Sequence, residues 1–501
     1  MIARIAVALQ EVFGACADEA NEASGVIQRR RKFTPQGLAQ AFVLALLQNP
    51  KADSEDIATM AAASGIDVSH QAVDQRYSPR LVEFFKQLFE RITKQIIASD
   101  TALAPLLERF TEVKVIDSSV IALPDSQEEH FRGCGGSYEG GKSALKLQTE
   151  LNLRDGTLAC VQVEPGRASD GASDRQHVMP LAGSLRITDL GYFHLGVFAA
   201  IVQAQAFFLS RLPATTKIHA EGVKHDVVAW LTSRTELAHW EAVVDQWIEV
   251  GAEARLPCRL IAFRVPEEIA NRRRQKLIEK TRSKSGRLPT SAALAACDWE
   301  LFITNLPEDQ LSVKEAVVLY RARWQIELLF KRWKSIGQID ELDGRNDVIK
   351  MARLWARFCA ALLQHWLTVG AAWSGALYLS FDKVAKLASQ FAKDFAIALS
   401  SDGDLHLLLA RYCHMARAGC KRNHHKKHPG TIELLRNPEL LDYTFDVSTS
   451  YCAEEGTKLS SATTRCSRRW SFPRPLLKRC WLRTRLTLSQ TSRARKRTTP
   501  R

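Results

Sequence analysis

Four side chains in the second half of the sequence have types and spacing that could do chemistry together. Tyr320, Arg323, Glu327 and Lys334 lie in YRARWQIELLFKRWKS (320–335), a stretch with five basic residues and a single acid, Glu327. On a helix that turns about 100° per residue, the four fall within roughly 60° of arc. The stripe carries a phenol, a guanidinium, a carboxylate and an ammonium, while Ile326, Leu329 and Phe330 point elsewhere. Arg323 and Glu327 stand at i,i+4, so a solvated ion pair is one reading. The other is a face for a polyanion: the cations neutralise phosphates, and the carboxylate holds a metal that bridges to the same phosphate.

One carboxylate holds Mg²⁺ poorly, because hard octahedral ions want several oxygens. The candidate partners are Asp117, preceded by VKVI and followed by two serines, and Asp189, which precedes LGY. Each is expected to end a strand, where ligands gather in α/β sheets. Gly191 permits a sharp turn just after Asp189. Either acid alone could be a strand-end cap, so the argument needs all three together.

The elements that would position these acids follow from periodicity. The first hundred residues read as helical. KFTPQGLAQAFVLALLQ opens with Thr34 as a cap and Pro35 at the first helical position. In SEDIATMAAASGIDVSHQAVDQRYS a helix ends at Gly65, and Ser69 caps a second helix carrying Gln71, Gln75 and Arg76. That pattern is a helix-turn-helix whose second helix enters a major groove, or an ordinary helical hairpin. The basic run QRRRK (28–32) could touch phosphates or be solvated.

From residue 111 strand-like runs take over: EVKVIDSSVIAL, KLQTELNL, TLACVQVEP, LRITDLGYF and AFFLSRL. Interleaved with helical segments, they predict an α/β sheet. Residues 213–300 read as an insertion with short strands such as CRLIAFRV. Its basic stretch NRRRQKLIEKTRSKSGR holds eight Lys or Arg against one Glu, and its Gly and Ser suggest a mobile loop or phosphate-contacting arm. WELFITNLP (299–307) is a further strand, followed by a helical region from about Ser312 to Ile336. Residues 346–440 read as helical, and the tail beyond 441 loses periodicity and is expected to be disordered.

Composition narrows the class. With 501 residues, 46% hydrophobic and 25% charged, the chain can hold several domains and a large core. Eleven cysteines without paired spacing indicate reduced thiols in a cytoplasmic protein. Cys413, Cys420, His424 and His428 fit no common zinc spacing. The opening MIARIAVALQEVFGACADEA imitates a signal peptide, but Glu11 interrupts it and an amphipathic helix is expected. Residues 358–381 lack Asp, Glu, Lys and Arg, yet Gln364, His365, Gly370 and Gly375 favour buried helices over a membrane span. The net charge of +14 is a property of the tail: residues 465–501 hold 13 Lys or Arg and no acid, which leaves +1 for the rest. Nucleic-acid binding by the folded part must therefore rest on local patches.

Taken in order, IDSS, TDLGYF and YRARWQIELLFKRWK resemble the DDE transposases of the insertion sequence 4 group. The last segment matches that group's Y-x2-R-x3-E-x6-K signature at Tyr320, Arg323, Glu327 and Lys334. The resemblance runs over about residues 30–440 and implies an α/β fold: an RNase H-like catalytic domain interrupted by a mainly β insertion, with helical N-terminal and C-terminal domains. The implied divisions are 1–104 (helical, DNA-binding), 105–212 and 301–345 (catalytic core), 213–300 (insertion), 346–440 (helical) and 441–501 (basic tail).

The resemblance further implies Asp117, Asp189 and Glu327 as the catalytic triad, holding two Mg²⁺ or Mn²⁺ ions. Arg323 and Lys334 would bind phosphates of the transposon end, with Tyr320 packing or hydrogen-bonding beside them. Arg211, at the end of FFLSR, is a separate candidate for a phosphate contact. The group's cut-and-paste route passes through hairpin ends, which need a base moved out of the stack, and Trp299 is the candidate to hold it. The implied partners are the terminal inverted repeats, target DNA and a second copy of the chain in a synaptic homodimer. The implied location is the bacterial cytoplasm, at the nucleoid, without a membrane.

CKRNHHKKHPGTIELLRNPELLDY resembles a normal family ending, and the segment after it is expected to be out-of-frame or read-through sequence. A catalytically inactive, transposase-derived DNA-binding regulator is the main rival. It would keep the helix-turn-helix and the basic face without needing all three acids. A related nuclease that cuts without joining is the second rival.

Overall fold

The computed structural model describes residues 1–29, 32–135, 141–234, 237, 242–373, 378–401, 403–423 and 429–441. His424, His428, most of the basic tail and two arginines of the QRRRK run lie outside them.

Seven helices come first: α1 (Ile2–Val12), α2 (Ala15–Ser24), α3 (Pro35–Gln48), α4 (Ser54–Ala63), α5 (His70–Asp74), α6 (Pro79–Ile92) and the short α7 (Pro105–Glu108). The caps read from sequence form. The Thr34 hydroxyl accepts from Gly37 N–H with Pro35 at the first turn, and the Ser69 hydroxyl accepts from Ala72 N–H. The expected recognition helix α5 is only five residues long, with Gln71 and Gln75 exposed. Arg76, half-buried, lies over the Phe33 ring.

Next come β1 (Val113–Ala122), β2 (Ala144–Asn152), β3 (Leu158–Pro165), β4 (Leu185–Thr188), α8 (Leu195–Gln203) and β5 (Phe207–Arg211). The expected insertion holds β6 (Lys217–Ala220), β7 (Val223–Asp226), α9 (Val227–Thr232), β8 (Val243–Val250), β9 (Leu256–Arg264), α10 (Glu267–Ser285) and α11 (Ser291–Ala295). After it follow β10 (Trp299–Thr304), α12 (Val313–Ala322) and α13 (Trp324–Ser335). The remaining helices are α14 (Asp347–Ala372), α15 (Phe381–Gln390), α16 (Ala392–Ser400), α17 (Leu405–Gly419) and α18 (Thr431–Arg436).

The ten strands form one mixed sheet in the order β3-β2-β1-β4-β5-β10-β9-β8-β6-β7. β1, β4 and β5 are parallel neighbours, and the flanking pairs are antiparallel. Residues 213–300 do not stand apart from this sheet: β9 pairs with β10 over six residues and continues it. The segment is also more helical than expected, because the basic stretch forms the 19-residue helix α10. Its base is fixed where Arg273 bonds the buried Glu300 and Arg274 bonds Asp298. Those ion pairs order a stretch that Gly and Ser content alone marks as loop.

Two apolar cores flank the sheet. The larger runs from the N-terminal helices through α14–α17 to strands β1, β2 and β4, and the smaller lies among α8, α9 and β5–β10. Helix α14, buried along nearly all its length, packs on α3 and α6, so both ends of the body share one core. Its buried Arg353 and Arg357 bond the carboxylate of Asp343. No helix among the described residues is long and apolar enough to cross a membrane.

Candidate active site

Asp117 sits mid-strand in β1 rather than at a strand end, because the antiparallel ladder with β2 carries β1 on to Ala122. The parallel ladder with β4 stops earlier. Its pairs Val113↔Leu185 and Val115↔Ile187, continued in step, set Asp117 beside Asp189. Asp189 follows the last residue of β4, and its carboxylate accepts from the Gly191 N–H at 2.9 Å, closing the turn expected from Gly191.

Glu327 comes to the same place on α13, which packs on β1. The expected single helix is broken at Arg323, where i→i+3 bonds from Arg323 N–H to Tyr320 O and from Ile326 N–H to Arg323 O separate α12 from α13. The break leaves the stripe usable. The buried Arg323 donates to Glu327 at 2.6 Å and reaches within 3.7 Å of Asp117. Its guanidinium lies 5.9 Å from the centroid of the Tyr320 ring, which itself packs on Phe302. Lys334, one helical stretch further on, reaches the Val120 carbonyl of β1. Burial lowers its ammonium pKa, and the Asp340 carboxylate opposes that.

The Asp117 carboxyl is buried where its ionised form is poorly compensated. Burial pushes the Asp117 carboxyl up to about 8, and the neighbouring Asp189 and Glu327 carboxylates push the same way. Arg323 and the Ser118 N–H hold it down without prevailing. Such a set of oxygen donors suits a hard divalent cation. Among the described residues no three ligand groups converge into a coordination shell; Arg323 supplies the counter-charge between Asp117 and Glu327.

Two other expected contacts sit elsewhere. Arg211 ends β5 next to the level of Asp189, since Ser210 pairs with Thr188. Its guanidinium bonds the buried Glu300 at 2.8 Å, where Arg273 binds the other carboxylate oxygen. Trp299 begins β10 in the smaller core, 4% exposed, with Arg264 over its ring. In this conformation the ring is closed to a stacking base.

Sequence reading missed a cluster around Asp170. One Asp170 oxygen accepts from Ser118 Oγ at 2.9 Å, Lys146 Nζ at 2.9 Å and Gln148 Nε2 at 3.2 Å. The available signal was β2, buried at every position yet carrying Lys146, Gln148 and Glu150 on alternate residues. Polar side chains on one face of a fully buried strand need partners.

Comparison with known proteins gives the family. The Transposase DDE domain family matches residues 108–363, just over half of the chain and a span that contains Asp117, Asp189 and Glu327. The transposase for insertion sequence element IS231F from Bacillus thuringiensis subsp. israelensis is 26% identical over 337 residues, 63% of this chain and 69% of the relative. The transposase for IS1151 from Clostridium perfringens is 25% identical over 316 residues, 58% of this chain and 65% of the relative. Over a shorter span of 150 residues, the putative transposase InsL for IS186A from Escherichia coli K12 is 39% identical, covering 29% of this chain and 39% of the relative. The chain therefore belongs to the transposase DDE family, enzymes that cleave DNA and transfer its strands.

Proposed function

We propose that this chain binds the terminal inverted repeats of an insertion sequence and moves the element by cut-and-paste through hairpin ends, as in the insertion sequence 4 group. On this reading β1, β4 and β5 form the heart of an RNase H-like core, and Tyr320, Arg323, Glu327 and Lys334 are its signature residues. The observation that carries the reading is that the Asp117 carboxylate lies close enough to feel those of Asp189 and Glu327, with Arg323 bridging Asp117 and Glu327.

Asp117, Asp189 and Glu327 would hold two Mg²⁺ or Mn²⁺ ions. Bound there, such ions would supply Lewis-acid activation of the attacking oxygen and charge stabilisation of the leaving one. The chain's own residues position the DNA. Arg323 and Lys334 neutralise phosphates flanking the scissile bond, and Tyr320 orients Arg323 from beneath its guanidinium. Burial strengthens each of these contacts by lowering the local dielectric. Water cuts the phosphodiester at the element end and frees a 3′-OH. That hydroxyl attacks the opposite strand to give a hairpin, and after reopening it attacks the target. We place the reaction in a synaptic homodimer in the bacterial cytoplasm.

The test is cleavage of a labelled duplex carrying the element's own terminal repeats, with Mg²⁺ or Mn²⁺, beside Glu327→Ala. Metal-dependent nicking at the repeat end, absent in the variant, is the expected result. Binding without cleavage in either protein would overturn the enzyme reading in favour of a DNA-binding regulator.

A further inference from the structure

We propose that Asp170 is a positioning residue that fixes the spacing of Asp117 and Asp189 from behind the sheet; this rests on the metal-dependent reading above. Successive residues of a strand face opposite ways, so Ser118 points away from the side that Asp117 uses. It points at Asp170, with Lys146 and Gln148 from β2 converging on the same oxygen. Gln148 in turn accepts from the buried Tyr192 hydroxyl at 2.7 Å. Ser118 is one residue past Asp117 and Tyr192 is three past Asp189. One carboxylate thus ties the two segments that carry the catalytic aspartates.

The anchor is itself fixed. Gln176 Nε2 donates to the Asp170 carbonyl at 2.8 Å, and the buried Arg186 of β4 donates to the Gln176 carbonyl at 2.8 Å. The second Asp170 oxygen lies 3.8 Å from the point where a Gly191 Cβ would sit, a point that Asp189 Oδ1 also flanks at 3.2 Å. Asp170 is therefore held on the backbone by β4, on the side chain by β1 and β2, and close against the Asp189 turn. Its first oxygen is saturated by three donors, and its contacts to β1 and β2 come from the face opposite Asp117. That is the geometry of a support for the metal ligands. Removing such a support weakens metal affinity by about 10–100-fold.

The test is Mn²⁺ titration of the full chain by calorimetry, with cleavage measured across Mn²⁺ concentrations. For Asp170→Ala we expect Mn²⁺ affinity to fall by about 10–100-fold, with cleavage restored at high Mn²⁺ and the KM for duplex unchanged. Asp189→Ala should not be restored at any Mn²⁺ concentration. Ser118→Ala removes one donor without stranding Lys146, so it reports the same effect in smaller degree should the first variant fail to fold. Wild-type Mn²⁺ affinity in both variants would overturn the proposal. So would loss of cleavage in Asp170→Ala that high Mn²⁺ does not restore, which would make Asp170 a ligand. Failure of the underlying reading looks different, since the wild-type protein itself would then take up no Mn²⁺ and cut nothing.

Discussion

Arg211 divides two lines of reasoning, and its removal separates them. Its place at the end of FFLSR makes it a candidate for a DNA phosphate, whereas in the structure it bonds Glu300 at 2.8 Å. Glu300 is 3% exposed and is shared with Arg273, itself 3% exposed. Burial pushes the Glu300 carboxyl up, but Arg211 and Arg273 outweigh burial and hold it below its usual range. Arg211→Ala removes one charge-assisted bond and leaves Glu300 with Arg273, a loss of about 2–3 kcal/mol. Glu300→Ala takes the shared carboxylate from two guanidiniums, one almost fully buried, and should cost about 3–5 kcal/mol. The double variant should lose less than the two singles together, because they share one network. The depressed Glu300 pKa also gives the pH dependence its sign. The stability it contributes is full at neutral pH and is lost as pH falls through the folded-state value, so Glu300→Gln should flatten the acid limb of a stability curve. The assay is urea unfolding without DNA, alongside duplex binding across salt concentrations. The reasoning fails if Arg211→Ala unfolds within about 0.5 kcal/mol of wild type while its salt slope for duplex binding drops by about 1. Arg211 would then serve DNA, with Arg273 alone sustaining Glu300.

Three further outcomes are expected. Glu327→Gln and Asp117→Asn should reduce metal-dependent nicking to background in a gel assay while duplex retention on a filter stays within a few-fold. Adding Mn²⁺ at about a hundred times its dissociation constant should stabilise the protein by about 2.7 kcal/mol in a thermal melt, and Glu327→Ala should abolish most of that gain. Gly156→Ala should destabilise by ~1–3 kcal/mol or more in urea, because Gly156 has φ +81° and an added Cβ would meet Trp373 at 2.7 Å and Val369 at 2.9 Å.

The three acids could be singled out as candidates because each carries a local signature: a β-branched run before Asp117, a Gly turn after Asp189, and a charged stripe around Glu327. The caps at Thr34 and Ser69 were legible for the same reason, since an N-cap depends on side chains three residues apart. What stayed hidden depends on pairing between distant segments. The strand-end assignment of Asp117 failed because only the partner β2 decides how far β1 runs. The basic stretch looked like loop because its anchors, Glu300 and Asp298, lie more than twenty residues downstream. Asp170 sits in ASDGASDR, where an acid normally means turn chemistry, and its three donors come from two strands earlier in the chain. The core position of Trp299 likewise follows from β9 and α10 closing over the start of β10.

The stripe on α12 and α13 had two readings, an ion pair or a phosphate-binding face, and burial brings them together. A solvated Arg–Glu pair at i,i+4 contributes only a few tenths of a kcal/mol and leaves its neighbours undisturbed. This pair is buried, with side-chain exposures of 5% and 6%, and it stands against a second carboxyl, Asp117, pushed up to about 8. Burying that arrangement costs desolvation that a pair of apolar side chains would avoid. A fold gains little stability from keeping it, and clustered groups of perturbed pKa mark sites selected for chemistry. In the structure the Arg323 guanidinium offsets Asp117 and Glu327. On the proposed function, bound cations would take over that charge, and the same guanidinium beside Tyr320 would turn to a phosphate, so the site would load metal and DNA without gaining or losing a buried charge of its own.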